Sequence, residues 1–318
     1  MANNNNNYWY RILFKVKVYE ASGDSFQRLV NDLCQHSWVG FQAISPWGNW
    51  GDGGNDGWVQ DDQHYLQVYA PKPTTELNAV DAAKKSVKDF HKLLNKWSAI
   101  KKYSFVLNDR FVGIPAPVAH AMEEIKTTHN LAQARPIGSA DLESMFMGLP
   151  EDLRQIIVGG IPSCSLSTVD ASAVGELLSN LADNITPLPP LLINPNAPDF
   201  DEKIAFNGLT SPVSEYLRVS SYQASLVDDF LSRRDPGLQQ AVSEEISGLY
   251  ATSKEEIPDT DPDAANIRYA WMLDRLIPEA GRQHPHSWKA YREAAQIVLA
   301  KFFETCDAYE YPDSNPAA

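Results

Sequence analysis

The sequence predicts an α/β domain followed by a mostly α-helical domain. Three observations predict it. Short apolar runs alternate with amphipathic helical spacing from Ser22 to about Leu107, the signature of an α/β layout. Residues 187–198, Pro-Leu-Pro-Pro-Leu-Leu-Ile-Asn-Pro-Asn-Ala-Pro, hold five prolines, which remove backbone donors and fix φ, so this stretch reads as an extended linker. Beyond it the spacing is helical almost throughout. The expected organisation is therefore a first domain over 8–186, a linker over 187–198 and a helical docking domain over 199–318.

Residues Asn3 to Asn7 form a low-complexity leader, and ordered structure is expected from Tyr8. Phe26, Leu29, Val30, Leu33 and Cys34 then recur at i, i+3, i+4, predicting an amphipathic helix capped by Ser22 or Asp24. Phe41 to Pro46 reads as a short β-like run. The glycine-dense segment from Trp47 to Gly57 is a turn-rich connection, because no helix tolerates that glycine density. Trp58-Val59-Gln60 and Tyr65 to Ala70, joined by Asp61-Asp62-Gln63, read as a hairpin ended by Pro71 and Pro73. Asn78 caps a helix to about Trp97, with Val80, Ala83, Val87, Leu93 and Leu94 expected on its apolar side. Tyr103 to Leu107 is a continuous apolar run suited to a buried strand. Helices are expected over 117–129, 139–149 and 171–184, then over 213–234, 236–252, 263–277 and 286–306. The stretch 111–186 reads only as helical connection.

Composition narrows the function classes. The chain has 318 residues, with 27 Lys+Arg against 41 Asp+Glu for a net charge of −14. Bulk charge therefore does not favour coating nucleic acid or an anionic membrane. The acidity concentrates late: the first 198 residues carry 16 basic and 20 acidic side chains, the remaining 120 carry 11 and 21. No run approaches a membrane span and the start lacks signal-peptide order, so a cytoplasmic protein with no membrane partner is expected. Cys34, Cys164 and Cys306 lie far apart without metal-ligand spacing and read as buried thiols.

The segment richest in chemistry is Gly51-Asp52-Gly53-Gly54-Asn55-Asp56-Gly57-Trp58, followed by Leu66-Gln67-Val68-Tyr69-Ala70-Pro71-Lys72. A carboxylate at the start of one hairpin strand and polar groups on its neighbour would lie side by side at one sheet edge. Such a set suits a hard cation, since Mg²⁺ takes oxygen ligands and shares itself among carboxylate, water and substrate phosphate. Strand alternation puts Gln67 and Tyr69 on one face, with Leu66, Val68 and Ala70 on the other. The same glycines, Asn and Asp also suit a plain tight turn.

These strings, GDGGNDGW and then LQVY, preceded by a Gly-Asp-Ser-Phe-Gln-Arg-Leu-Val helix, resemble the restriction-endonuclease-like fold, the PD-(D/E)xK superfamily, in its Mrr-like branch. The resemblance implies Asp56 as the metal-binding aspartate, Gln67 as the glutamine replacing the second acid, and Gln27 as the polar group of the first helix. It implies Mg²⁺ or Mn²⁺ as cofactor and double-stranded DNA as substrate. Where that branch has lysine two residues after the glutamine, this chain has Tyr69. Either Lys72 reaches in from beyond the strand, or the fold is kept without cleavage. Asp52 is either a second metal acid or the turn's own cap.

In the later part, Lys203-Ile-Ala-Phe-Asn-Gly-Leu, Ile277-Pro278 and the run from Tyr291 to Pro312 resemble the helical C-terminal domain of effector subunits in bacterial ABC-three-component defence systems of the Lamassu type. That resemblance implies an antiphage effector docked on an SMC-like ABC ATPase subunit and a middle subunit, with oligomerisation on activation. His284 and His286, flanking Pro285, read as surface or packing residues. Lys84, Lys85, Lys88, Lys92 and Lys96 repeat at three and four. They form either a solvated helix face or a ridge that tracks DNA phosphates. Trp47, Trp50 and Trp58 flank the glycine turn as packing residues. Three functions follow: a DNA endonuclease under partner control, a noncatalytic DNA-binding scaffold on a degenerate fold, and an enzyme of a smaller nucleotide substrate. The absence of a P-loop or of GxGxxG opening a helix weighs against the third.

Overall fold

A computed structural model describes residues 2–46, 48, 51–72, 77–97, 99–162, 170–183, 199–234, 236–282, 285–305 and 308–312. Two compact units divide the chain: residues 17–160, and residues 1–16 with 161–318. The expected linker at 187–198 lies outside the described residues, as do Trp47, Trp50, Pro73, Cys164, His284 and Cys306. The first unit is shorter than the expected 8–186, because the helix over 171–184 and the first residues of the chain cluster with the later helices.

Helix α1 (Ala2–Glu20) belongs to the helical unit through Val16 and to the sheet unit from Lys17. It corrects the expectation of a leader over Asn3 to Asn7 with ordered structure from Tyr8. Trp9, Tyr10, Ile12, Phe14, Val16, Val18 and Tyr19 are all buried. Arg11, Lys15 and Lys17, exposed or half-buried, interrupt these apolar positions, so no single apolar stripe marks the helix in the sequence.

In the sheet unit, α2 (Gly23–Ser37) buries Phe26, Leu29, Val30, Leu33 and Cys34 as expected, with Ser22 as N-cap. Strands β1 (Phe41–Ala43), β2 (Gly57–Val59) and β3 (His64–Tyr69) form an antiparallel meander. Helix α3 (Ala79–Lys96) crosses over to β4 (Lys102–Leu107), parallel to β3, and α4 (Ala116–Thr128) crosses to β5 (Gln133–Ile137), parallel to β4. The sheet is mixed, in the order β1-β2-β3-β4-β5. Helices α5 (Ser139–Met147) and α6 (Glu151–Val158) complete the unit.

Strand β5 corrects the reading of 111–186 as helical connection only. Its Pro136 cannot donate to a ladder, which is tolerated because β5 is the sheet's edge. Ala82, Phe90 and Leu93 of α3 pack with Val118, Met122 and Ile125 of α4 over Tyr65, Tyr103, Phe105 and Leu107 of the sheet. Helix α2 packs against β1, β3 and α5.

Asn78 caps α3 as expected, accepting from Val80 and Asp81 N–H at 3.0 Å each. The phase of α3 is a correction. Its buried stripe is Ala82, Ser86, Asp89, Phe90 and Leu93, while Val80 is 52% and Leu94 38% exposed. One charged residue, Asp89, thus occupies the buried side.

The helical unit holds α7 (Ala171–Asp183), α8 (Phe200–Phe206), α9 (Val213–Ser221), α10 (Ser225–Leu231), α11 (Pro236–Glu256), α12 (Ala264–Leu276) and α13 (Pro285–Glu304). The single helix expected over 213–234 is broken between α9 and α10. There the Ser221 hydroxyl donates to Arg218 O at 2.8 Å, competing with the helix ladder. Helices α12 and α13 are buried on most sides. Lys203 of α8 is 1% exposed and donates to Phe303 O at 2.6 Å and Ala308 O at 2.7 Å, closing the C-terminal end of α13. Among the described residues no helix is long and apolar enough to cross a membrane. The mostly helical chain with one small mixed sheet agrees with the α/β-plus-helical class.

Candidate active site

Asp56 stands one residue before β2, where the hairpin register Gly57↔Leu66 continues to place it opposite Gln67. Its N–H donates to Leu66 O at 2.8 Å. Turn geometry makes this placement possible. Gly53 and Gly54 have φ of +67° and +79°, the left-handed region glycine adopts freely. A Cβ on Gly54 would lie 2.4 Å from Asp89 O, so only glycine lets the turn lie directly on α3.

The Asp56 carboxylate is 5% exposed and fully engaged. Oδ1 accepts from Gln27 Nε2 at 2.9 Å, and Oδ2 accepts from Val68 N–H at 2.7 Å. The structure thus brings Gln27, Asp56 and β3 together. Burial, reinforced by Asp52 and Asp89, pushes the Asp56 carboxyl up to about 7, against the opposing pull of the Val68 N–H and Lys85. Gln67 is 6% exposed, and its Oε1 has no hydrogen-bond partner. A buried acceptor left unpaired is costly, and a water or another ligand would satisfy it. Asp52 Oδ1 accepts from Gly54 N–H at 2.8 Å, the turn-capping arrangement of an Asx turn.

Tyr69 shares the Gln67 face of β3, and its ring stacks on Phe105 at 6.1 Å. Lys72 lies beyond the end of β3 and is exposed, and it forms no ion pair with Asp56. The lysines of α3 share one side of the helix, exposed or half-buried, as expected, but they do not all point away from the protein. Lys84 is exposed and lies 3.9 Å from Asp81, and Lys88 is exposed. Lys85 and Lys92 instead turn to Asp89, with Nζ at 2.5 Å and 2.8 Å from its carboxylate oxygens. Lys85 Nζ also lies 5.9 Å from the Tyr69 ring centroid. Trp58 packs against Tyr65 and Trp97 at 5.5 and 5.2 Å, in keeping with a packing role.

Asp89 is the member of this constellation that the sequence reading missed. The available signal was its spacing, four residues after Lys85 and three before Lys92, once the buried phase of α3 is known. Asp89 holds Lys92 charged, raising its pKa, and with Asp56 it adds to the burial that raises Tyr103.

A divalent cation here would have to draw on the Asp56 carboxylate, whose two oxygens already accept from Gln27 and Val68, and on the Gln67 amide oxygen. Among the described residues no group of three His, Cys, Asp or Glu side chains gathers as a metal cage. Mg²⁺ needs no such cage, since it commonly takes one or two carboxylates and completes its octahedron with water and phosphate. The unpartnered Gln67 Oε1 fits that requirement.

Fold and site define a chain of two parts, an α/β unit with a buried carboxylate, amide and lysine constellation at one end of its sheet, and a helical unit. The helical part has a known counterpart. Residues 172–310 match the family model for C-terminal domain 10 of the ABC-three component (ABC-3C) systems, which supports membership of such a multi-subunit system. No curated protein and no solved structure matches the chain.

Proposed function

We propose that this chain is the effector subunit of an ABC-three-component antiphage complex, and that its sheet unit is a divalent-metal-dependent DNA endonuclease. SMC-like ABC ATPase and middle subunits hold it inactive until activation. The observation that carries the reading is Asp56, buried opposite Gln67 at the hairpin edge, beside a buried acceptor with no partner. Asp56 and Gln67 would hold Mg²⁺ or Mn²⁺, which polarises the scissile phosphate and lowers the pKa of the attacking water. Gln27 orients the Asp56 carboxylate through its 2.9 Å hydrogen bond, and the Val68 N–H fixes the second oxygen. Lys84 and Lys88 are exposed on α3, where they would meet the DNA backbone.

One observation favours a second reading, a noncatalytic DNA-binding scaffold: Tyr69 stands on β3 where the resemblance expects lysine. Cleavage decides between them. The chain is assayed on plasmid and linear DNA, alone and with its partner subunits, in Mg²⁺, Mn²⁺ or EDTA. Metal-dependent cutting that Asp56→Ala reduces by at least about 100-fold supports the endonuclease. DNA binding that is indifferent to metal and to Asp56→Ala, without cutting, supports the scaffold.

A further inference from the structure

We infer that Lys85, presented from α3 and held by Asp89, is the ammonium of this site, contacting a phosphodiester oxyanion of nucleic acid in the place left open by Tyr69. The inference rests on the endonuclease reading of the same site, and it replaces Lys72 in that reading.

Asp89 is 1% exposed at its side chain, while Lys85 and Lys92 are 39% and 49% exposed. A solvent-exposed pair at i, i+4 is worth little and needs no explanation. A buried carboxylate shared by two ammonium groups is different, because the triad carries one positive charge in excess. Asp89 is buried while the two ammonium groups stand partly in solvent beside it, so that excess is held in place yet open to an anion.

Position selects Lys85 over Lys92. Lys85 lies over the ring of Tyr69 on β3, two residues along the same strand face from Gln67 with its unpartnered Oε1. Lys92 lies under the glycine turn, where its Cβ would be 3.2 Å from a Cβ on Gly54. Lys85 also acts on the Asp56 carboxylate electrostatically. An ammonium so placed would meet an oxygen of a phosphodiester bound beside Asp56 and Gln67, and would neutralise charge that builds on it. Tyr69 then serves as the platform that directs the lysine stem rather than as the reacting group. Asp89 is a positioning residue.

The test compares the wild-type chain with Lys85→Ala, Lys85→Arg and Lys72→Ala, each with its partner subunits. Two readouts are taken: Mn²⁺-dependent plasmid cleavage, and binding of a short labelled DNA duplex in Ca²⁺ across a salt series. The expected result is cleavage lowered on the order of 100-fold in Lys85→Ala, with duplex binding weakened and its salt slope reduced by about one. Lys85→Arg restores binding, and Lys72→Ala behaves as wild type. A melting midpoint shared with wild type shows that Lys85→Ala is folded; if it is lowered, the Lys85→Arg result, with charge restored, decides. If wild type binds but never cuts, the endonuclease reading falls, while the inference stands or falls on whether Lys85→Ala alone weakens binding. Wild type that neither cuts nor binds the duplex overturns both. A loss in Lys72→Ala, with Lys85→Ala unchanged, overturns the Lys85 assignment and leaves the endonuclease reading standing.

Discussion

Asp56 concentrates the chemistry of the sheet unit into one carboxyl, and its titration is measurable. In the unfolded chain it ionises near the ordinary aspartate value of 3.8; in the native protein it holds its proton to about 7. Between those values the native state binds the extra proton, so stability falls as pH rises from about 4 to about 7 and levels off above. Asp56→Asn removes that slope. Urea midpoints at pH 5 and pH 8 should show wild type gaining on acidification relative to the variant, by a few kcal/mol at most on the scale of about 1.4 kcal/mol per pKa unit. A divalent cation needs the ionised carboxylate, so Mn²⁺ stabilisation of the wild-type melting midpoint should grow as pH rises through about 7. Equal slopes in wild type and Asp56→Asn would show that this carboxyl is not the titrating group. Asp56 and Gln67 were legible in the sequence because both lie in one hairpin, where strand register is a matter of counting. Asp89 was not, because it comes from a helix whose rotation about its own axis the lysine spacing does not fix.

Among elements, the glycine turn and α3 depend on each other. At Gly54 a side chain meets backbone, with Asp89 O at 2.4 Å and Leu93 N at 3.2 Å, at φ of +79°. At Gly51 the conformation is similar, φ +64°, but nothing lies within 4 Å of a Cβ. Gly51→Ala should therefore cost only the left-handed strain, roughly 1–2 kcal/mol, while Gly54→Ala adds overpacking of about 1–3 kcal/mol and displaces Asp56. Chemical denaturation of the two variants measures the difference, and equal costs would mean that the turn does not lie on α3. The hairpin, α2 and the cap of α3 follow from local rules of alternation, capping and turn chemistry, which is why they were readable. Two features were set by tertiary context instead. Helix α3 shows apolar residues on more than one side, and packing against α4 chose the Ala82, Phe90 and Leu93 side. Strand β5 carries Arg135 and Pro136, and only its place at the sheet's edge makes that composition acceptable.

On the scale of the whole molecule the candidate site and the family match fall in different units. The constellation around Asp56 lies wholly within residues 17–160, and the ABC-three-component match lies within the other unit. The net negative charge of residues 199–318 does not favour general DNA binding, and helix packing alone can serve assembly. Substitutions should then split the phenotypes. Lys203→Met keeps the stem of a buried side chain but removes its two hydrogen bonds to Phe303 O and Ala308 O. Leaving those carbonyls unsatisfied costs about 2–4 kcal/mol. Because the units need not unfold together, that loss should be confined to the helical unit. Co-purification with the ABC ATPase and middle subunits should drop for Lys203→Met and stay at the wild-type level for Asp56→Ala. Melting followed by Trp271 and Trp288 fluorescence, with the other tryptophans replaced, reports whether the helical unit is the part weakened. Asp56→Ala that loses the partners while Lys203→Met keeps them would reverse the assignment and place docking on the sheet unit.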